Sequence, residues 1–309
     1  MNTTVDKRHE CIVEYDTPAY KPRKRRLGDR YDGRLVRTVP PMSKLMPYLM
    51  KVRSDSQNQF EDSIDITNIE NFLSQKNKEG YTDMSLLHVL LAAYVRVVSE
   101  RPAIHRFIAG QRIYSRKKIE CLMTIKKDMT LEAEDTCIKV EFDPRDNIYN
   151  VYKKFQRAVI AAKNDDGDFE KVIGSLANLP GLMLRGIVAT LRFLDYFGRL
   201  PKALAKVSPF HGSMIITSMG SLGIQAIHHH LYDFGHLPIF ISYGKMNTRE
   251  VTLADGTTEK HHFVSLKVVT DERICDGFYY ASAFKQLRRY LNHPETLDLS
   301  PEKIVEDID

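Results

Sequence analysis

The chain has 309 residues, 43% of them hydrophobic and 28% charged, which is the composition of an ordinary globular protein with a substantial core. Its formal net charge of +5 is a mild excess, so we expect no nucleic-acid partner. The four cysteines are widely spaced and form no Cys-x-x-Cys pair, which favours a reducing compartment and predicts no metal centre (Cys11, Cys121, Cys137 and Cys275). A cytoplasmic protein is the expectation.

Neither a signal peptide nor a membrane span is expected. Residues 1–11 are polar, and no run reaches the roughly 18 apolar residues that a membrane span requires. The most apolar stretch, residues 182–200, contains four charged side chains, those of Arg185, Arg192, Asp195 and Arg199. It is predicted to form an amphipathic helix.

Residues 1–40 contain Pro18, Pro22 and Pro40 among charged side chains and show little periodicity. We predict an extended N-terminal arm that packs across one folded domain of residues 41–309. Six lysines and arginines of this arm cluster between positions 21 and 30. Two interpretations stay open: a solvated basic arm, or a docking site for an anion or an acidic partner.

Apolar periodicity and helix-capping residues predict the elements that follow the arm. Their expected order is a helix at 42–53, a strand at 63–67, a buried helix from Thr82 or Asp83 to Glu100, strands around a Gly110-Gln111 turn, strands at 120–125 and 137–142, and a helix from Asp143 or Asp146 that ends within 163–168. Strands and helices therefore both contribute to one α/β domain.

Residues 212–223 form a glycine-rich motif, Gly-Ser-Met-Ile-Ile-Thr-Ser-Met-Gly-Ser-Leu-Gly. Its first half is predicted as a strand, and its last four residues supply two glycines for a turn. Alone, the motif is also typical of an ordinary strand that ends in a glycine-rich turn.

A histidine-rich stretch, residues 228–236, reads His-His-His-Leu-Tyr-Asp-Phe-Gly-His. Imidazole and carboxylate groups are good ligands for zinc or iron. Adjacent residues of a chain point in different directions, however, and only His229 and Asp233 form a loose pair at helical spacing. We therefore favour polar groups that are satisfied in a turn or at a subunit interface over a metal site.

The last predicted elements are a strand at 238–245, a hairpin turn at Asp255-Gly256 and a strand at 263–270. Residues 271–278 follow directly and read Asp-Glu-Arg-Ile-Cys-Asp-Gly-Phe, before a helix that continues to Leu291. This octet is predicted as a strand-to-helix turn, which holds its side chains at a sheet edge with little freedom.

The octet and the glycine-rich motif resemble the chloramphenicol-acetyltransferase-like acyltransferases, and in particular the catalytic domain of the acyltransferase component of 2-oxoacid dehydrogenase complexes. The family octet contains a His, three residues and then Asp-Gly. The resemblance covers about residues 42–297. It implies an α/β fold, a two-layer sandwich with a mixed sheet, and assembly as a homotrimer or a multiple of a trimer with the active site between subunits.

The resemblance also assigns roles to residues of the two motifs. Thr217 occupies the position of a hydroxyl that hydrogen-bonds the oxyanion of the tetrahedral intermediate. Ser218 and Gly277 are expected to contact the CoA ligand. Asp276 is expected to be structural and to orient the site by pairing with an N-terminal arginine, for which the candidates are Arg34, Arg37 and Arg53.

Glu272 occupies the position of the family's catalytic histidine. An imidazole with a pKa near 6.5 suits a thiol near 8.5, whereas an ordinary carboxylate near 4.3 is a poorer proton acceptor by roughly two units. Burial raises the pKa of a carboxyl group and narrows that gap. The base is therefore either Glu272 itself or a nearby histidine such as His211 or His229.

Two functions follow from these observations. The first is a CoA-dependent acyltransferase that acts as a stand-alone domain without a lipoyl domain, with a CoA thioester as donor and an unidentified acyl acceptor. The second is a non-catalytic protein that binds CoA or an acyl ligand, or a structural partner of an acyltransferase. Neither requires a covalently bound cofactor. Acetyl transfer from acetyl-CoA to a thiol or hydroxyl acceptor distinguishes them.

Overall fold

A computed structural model describes residues 23–126, 135–164, 174, 176 and 178–309. Most of the predicted N-terminal arm, including Pro18 and Pro22, lies outside these residues, and so do residues 165–168 of the stretch 163–168 that is predicted to end a helix. The described strands are β1 Gly33–Leu35, β2 Gln57–Asp65, β3 Phe107–Ala109, β4 Arg112–Arg116, β5 Ile119–Lys126, β6 Asp135–Phe142, β7 Met214–Ser218, β8 Ile239–Thr252 and β9 Thr258–Asp271.

A six-stranded sheet has the order β2-β9-β8-β7-β5-β6. Strand β7 runs parallel to both of its neighbours, β5 and β8, and the other pairs are antiparallel. The sheet is therefore mixed, as the sequence predicts. Strands β1, β4 and β3 form a separate three-stranded sheet in that order.

Helices cover one face of the six-stranded sheet. The described helices are α1 Pro41–Leu49, α2 Thr67–Lys78, α3 Leu86–Glu100, α4 Ile148–Asn164, α5 Gly181–Tyr196, α6 Lys202–Val207 and α7 Gly277–Asn292. Helix α3 lies at the centre of the layer, and its residues 87–99 are all buried. It shares the larger core cluster with apolar side chains of α2, α4 and α7 and of the sheet. A wide apolar face predicts this burial.

The opposite face of the sheet carries a smaller apolar cluster. Ile215 of β7, Phe240 of β8 and Val269 of β9 point to this side, where Leu231 and Leu237 pack on them. Because side chains alternate along a strand, the neighbouring residues of these strands point into the larger cluster beneath the helices. The loop before β8 therefore covers part of the sheet.

The two predicted hairpin turns are confirmed. Gly110 and Gln111 join β3 to β4, and both have positive φ, 55° and 57°. Gly256, with a φ of 83°, lies in the turn between β8 and β9. Tight hairpin turns require this backbone region, which glycine adopts without a steric penalty.

Candidate active site

The octet forms the turn between β9 and α7, as predicted. At its start, the buried carboxylate of Asp271 accepts two hydrogen bonds from the Arg273 guanidinium, at 2.8 Å from Nε and 2.7 Å from Nη2. Arg273 Nη1 also donates to the Met50 carbonyl oxygen at 2.9 Å. This bidentate pair fixes the shape of the turn, because a planar guanidinium matches a carboxylate in one orientation.

A second buried arginine, Arg53, holds the turn from the other side. Its Nε lies 3.4 Å from Asp271 Oδ2, and its Nη2 donates to the Gly235 carbonyl oxygen at 2.9 Å. Burial lowers the pKa of the Arg53 guanidinium, and the Asp271 carboxylate opposes that shift. The turn, the start of β2 and the loop before β8 are thereby joined.

Glu272 lies on this fixed turn with its side chain exposed. Its backbone N–H donates to the Ser56 carbonyl oxygen at 2.8 Å. The backbone position is therefore set, while the carboxylate faces the molecular surface.

Asp276 caps helix α7. Its side chain is exposed, and Oδ1 accepts a hydrogen bond from the Tyr279 N–H at 2.8 Å. The expected pairing with an N-terminal arginine is wrong, because each candidate arginine has another carboxylate partner: Arg34 binds Asp309, Arg37 binds Asp29 and Arg53 binds Asp271. An aspartate directly before a helix satisfies a free N–H of the first turn instead.

Thr217 lies near the end of β7 and is half-buried. It follows Ile215 at a spacing of two, so it points to the sheet face opposite the helices. Within the described residues, its hydroxyl makes no hydrogen bond and remains available as a donor. Ser218, the next residue, points to the helix side, and its Oγ accepts a hydrogen bond from the Ser221 N–H at 3.3 Å.

Two glycines of the motif allow close backbone contacts. A Cβ atom on Gly212 would lie 2.1 Å from Leu122 Cδ1, and one on Gly220 would lie 2.7 Å from the Gly244 carbonyl oxygen. At Gly277, the first residue of α7, no atom lies within 4 Å of such a position. Gly212 and Gly220 therefore serve packing, whereas Gly277 leaves open space at the helix start.

One copy of the chain keeps Thr217 and Glu272 apart. Thr217 pairs with Ser242, and Ser242 pairs with Lys267 on β9. Lys267 precedes Glu272 by five residues, which corresponds to about 16 Å along a strand, and two inter-strand spacings add about 10 Å across the sheet. A reaction centre that uses both side chains therefore requires a second copy.

No protein-family model and no curated protein matches this chain, but solved structures do. A probable dihydrolipoamide acetyltransferase from Listeria monocytogenes 4b F2365 is similar with a TM-score of 0.54 and 14% identity, over 82% of this chain and 89% of that one. The cubic core of the pyruvate dehydrogenase multienzyme complex gives a TM-score of 0.50 and 16% identity, over 92% and 100%. A chloramphenicol acetyltransferase gives 0.50 and 13%, over 84% and 99%.

The chain has the chloramphenicol acetyltransferase-like fold. The predicted fold class, an α/β two-layer sandwich with a mixed sheet, is thereby confirmed. At these identities the likeness concerns the fold, and the roles of individual residues rest on the geometry described above.

The two histidines considered as alternative bases differ in access. His211 is buried; its Nδ1 lies 2.8 Å from Ser208 Oγ and its Nε2 3.6 Å from Asp195 Oδ2. His229 is half-buried and stacks on Phe240, with ring centroids 4.4 Å apart. Burial lowers the pKa of both imidazoles. His211 therefore belongs to the protein interior, and His229 to the surface of the sheet.

One group of described side chains has metal-ligand spacing. Potential ligand atoms of Asp195, His211 and His236 all lie within 4.8 Å of one another. Arg30 already occupies this cluster, since its Nη2 lies 2.6 Å from Asp195 Oδ1 and its Nε 2.9 Å from Asp32 Oδ1. A cation therefore competes with a guanidinium for the same carboxylates.

His236 completes this cluster as a neutral imidazole. Its Nε2 lies 3.0 Å from Asp32 Oδ2, and its Nδ1 accepts from Arg116 Nη2 at 3.0 Å. Burial and the nearby Arg116 lower the pKa of His236 to about 3. Two arginines thus balance two carboxylates, and the cluster joins the segment before β1 to α5 and to the loop before β8.

The side chains that fix the turn were not identified from the sequence. Asp271 and Arg273 are two residues apart, a spacing that suits a local ion pair across a turn, and that signal was present. Arg53 was expected only as a possible partner of Asp276, because its actual partner, Asp271, is remote in the chain and only the β2–β9 pairing brings them together.

Proposed function

We propose that this protein is a CoA-dependent acyltransferase of the 2-oxoacid dehydrogenase type, with a reaction centre completed by a second copy of the chain. The main support is the placement of Thr217 and Glu272. The Thr217 hydroxyl lies on the sheet face opposite the helices, and the Glu272 carboxylate lies on the turn that Asp271 and its two arginines hold. In a single chain they are too far apart to act on one substrate. The chloramphenicol acetyltransferase-like fold supports a CoA thioester as the donor.

The proposed reaction uses each group once. Glu272 takes the proton of an acceptor thiol or hydroxyl as that group attacks the thioester carbonyl carbon. Thr217 of the neighbouring copy donates a hydrogen bond to the oxyanion. Collapse of the tetrahedral intermediate breaks the carbon–sulfur bond, and the released CoA thiolate receives the proton from Glu272.

A second candidate is a protein that binds CoA or an acyl ligand without turnover. It is favoured by the exposure of Glu272 in the single chain. A carboxylate becomes an effective base near neutral pH only in an enclosed setting. This candidate requires that the second copy leave Glu272 exposed.

Acetyl transfer from acetyl-CoA to dihydrolipoamide and to simple alcohols separates the two candidates. We expect Glu272→Ala to reduce kcat about 10²–10⁴-fold and Thr217→Ala about 10²–10³-fold, while Glu272→His increases transfer because imidazole is the better base. Glu272→Gln is the matched control, because glutamine keeps the size and shape of the side chain but cannot accept the proton. CoA binding by calorimetry without transfer, even by Glu272→His, would establish the non-catalytic candidate.

A further inference from the structure

Helix α5 presents apolar side chains to the outside of the molecule. Leu182 and Phe193 are 83% and 64% exposed, and Phe197, directly after the helix, is 59% exposed. Residues 186 and 189 between them are an exposed glycine and an exposed alanine. Steps of three and four residues place all five on one side of the helix. An outward stripe of this kind reverses the usual arrangement of a surface helix.

The inward side of α5 holds its only acidic residue. Asp195 is buried and binds Arg30 at 2.6 Å, and the half-buried Leu184 and Leu191 lie on the same side of the helix. This ion pair attaches the end of α5 to the segment before β1. The orientation of the helix is therefore fixed, with the apolar stripe outward.

Exposed cations lie on the helix that carries the apolar stripe and in the segment that follows it. Residues 181–207 contain five lysines and arginines, all exposed, and no exposed carboxylate (Arg185, Arg192, Arg199, Lys202 and Lys206). None of the five forms an ion pair within the part of the chain that the structure describes. Apolar surface with a cationic rim is the pattern by which interfacial helices bind anionic lipid bilayers.

We propose that α5 docks the protein on an anionic lipid surface and lies in the plane of that surface. Its 16 residues span about 24 Å, which is shorter than the roughly 30 Å of a bilayer core. Within the described ranges, no helix combines the length and the apolarity that a crossing requires. The outward stripe enters the headgroup region, and the arginines and lysines reach lipid phosphates.

Charge favours an anionic lipid surface over a second copy of the chain as the partner of the apolar stripe. The chain carries a net charge of +5, so a partner copy offers a surplus of like charge to the five exposed cations. An anionic lipid surface attracts each of them. This proposal does not depend on the proposed acyl transfer.

Vesicle flotation tests the proposal with the full chain. Vesicles of phosphatidylcholine alone are compared with vesicles of phosphatidylcholine and phosphatidylglycerol. We expect binding to the anionic vesicles and a loss of about tenfold or more in Leu182→Asp/Phe193→Asp and in Arg185→Glu/Arg192→Glu. Leu299→Asp, which changes a leucine with 73% exposure outside α5, is the matched control and should bind as the wild type does.

Three results would overturn the proposal: no binding of the wild type to anionic vesicles, equal binding to neutral vesicles, or undiminished binding by both double variants. Light scattering tests the alternative, in which a second copy of the chain binds the stripe. If Leu182→Asp/Phe193→Asp lowers the molar mass in solution and the wild type ignores vesicles, the stripe is an interface between copies. Urea denaturation confirms that each variant is folded before its binding is compared.

Discussion

Asp271 and Glu272 are adjacent residues whose side chains have opposite environments. The Asp271 carboxylate is enclosed by two guanidinium groups and by Ser56 Oγ at 3.3 Å, whereas the Glu272 carboxylate is exposed. A buried charge without its partner retains the cost of leaving water, and an exposed charge does not. Asp271 therefore stabilises the turn, whereas the proposed catalytic role belongs to its exposed neighbour Glu272.

Asp271→Ala should destabilise the protein by about 3–5 kcal/mol, because Arg53 and Arg273 would remain buried without their carboxylate. Glu272→Ala is the control on the neighbouring residue and should change the free energy of unfolding by no more than about 0.5 kcal/mol. Urea denaturation of both variants measures the difference. Equal losses in the two variants would contradict the assignment.

Buried imidazoles should make stability fall as the solution becomes more acidic. Burial lowers the pKa of His88 to about 4 and the pKa values of His105 and His236 to about 3. In the unfolded chain these imidazoles titrate near pH 6.5, so below that pH the unfolded chain binds more protons than the folded chain does. Their stabilisation is fully present above pH 6.5 and decreases by about 2 kcal/mol per imidazole between pH 6.5 and 5.

Urea midpoints at pH 7.5, 6.5 and 5 check this dependence. His261 contributes in the opposite direction, because Asp65 raises its pKa, but it is a single pair at the surface. His88→Gln is the informative variant, since glutamine at the third position of α3 preserves the capping box with Ser85 and does not titrate. It should reduce the pH dependence, and the exposed-site control His293→Gln should leave it unchanged. If the wild type, His88→Gln and His293→Gln all show the same pH dependence, buried imidazoles are not the cause of the loss of stability in acid.

Asp276 stabilises the helix that it precedes. Its side chain caps α7 through the Tyr279 N–H, so Asp276→Ala should cost about 1 kcal/mol, as loss of an N-cap does, and Asp276→Asn should cost less because asparagine also caps. Thermal and urea unfolding of the two variants measure this order. A loss as large as that of Asp271→Ala would show that Asp276 is part of a buried ion pair after all.

Elements with strong internal periodicity were predictable from the sequence. The long apolar face of α3 and the alternation of apolar and polar residues in β9 each predict the element and its buried side from the residues of that segment alone. Strand β2 was predicted at 63–67 but begins at Gln57, because its first residues are polar and their extended form depends on pairing with β9. Helix α2, with mostly polar residues, was missed for a similar reason.

In the candidate site too, local motifs were predictable from the sequence, whereas contacts between remote segments were not. The order of motifs indicated Thr217, Glu272 and Asp276 as a set, but only the strand register shows how far apart the first two lie. The arginine partner of Asp276 was expected by resemblance, and the structure gives that arginine role to Arg53 with Asp271. Contacts between remote segments depend on the folded sheet and have no local pattern.

Exposed apolar residues follow the strand that carries Thr217. Leu222, Ile224 and Ile227 are 57%, 47% and 45% exposed. Contiguous apolar exposure beside a site that one chain leaves incomplete fits an interface between copies. We propose that this region joins three copies, and that the joint places Thr217 of one copy opposite Glu272 of the next.

Mixing two inactive variants tests that arrangement directly. If each reaction centre takes Thr217 from one copy and Glu272 from its neighbour, trimers reassembled from equal amounts of Thr217→Ala and Glu272→Ala should regain about a quarter of the wild-type activity, since random assembly gives one intact interface in four. A site within one chain regains nothing, because every copy carries one of the two changes. Light scattering confirms that the mixture has re-formed trimers, and reassembly of each variant alone gives the background. Trimers without recovery would show that Thr217 and Glu272 do not meet across this interface.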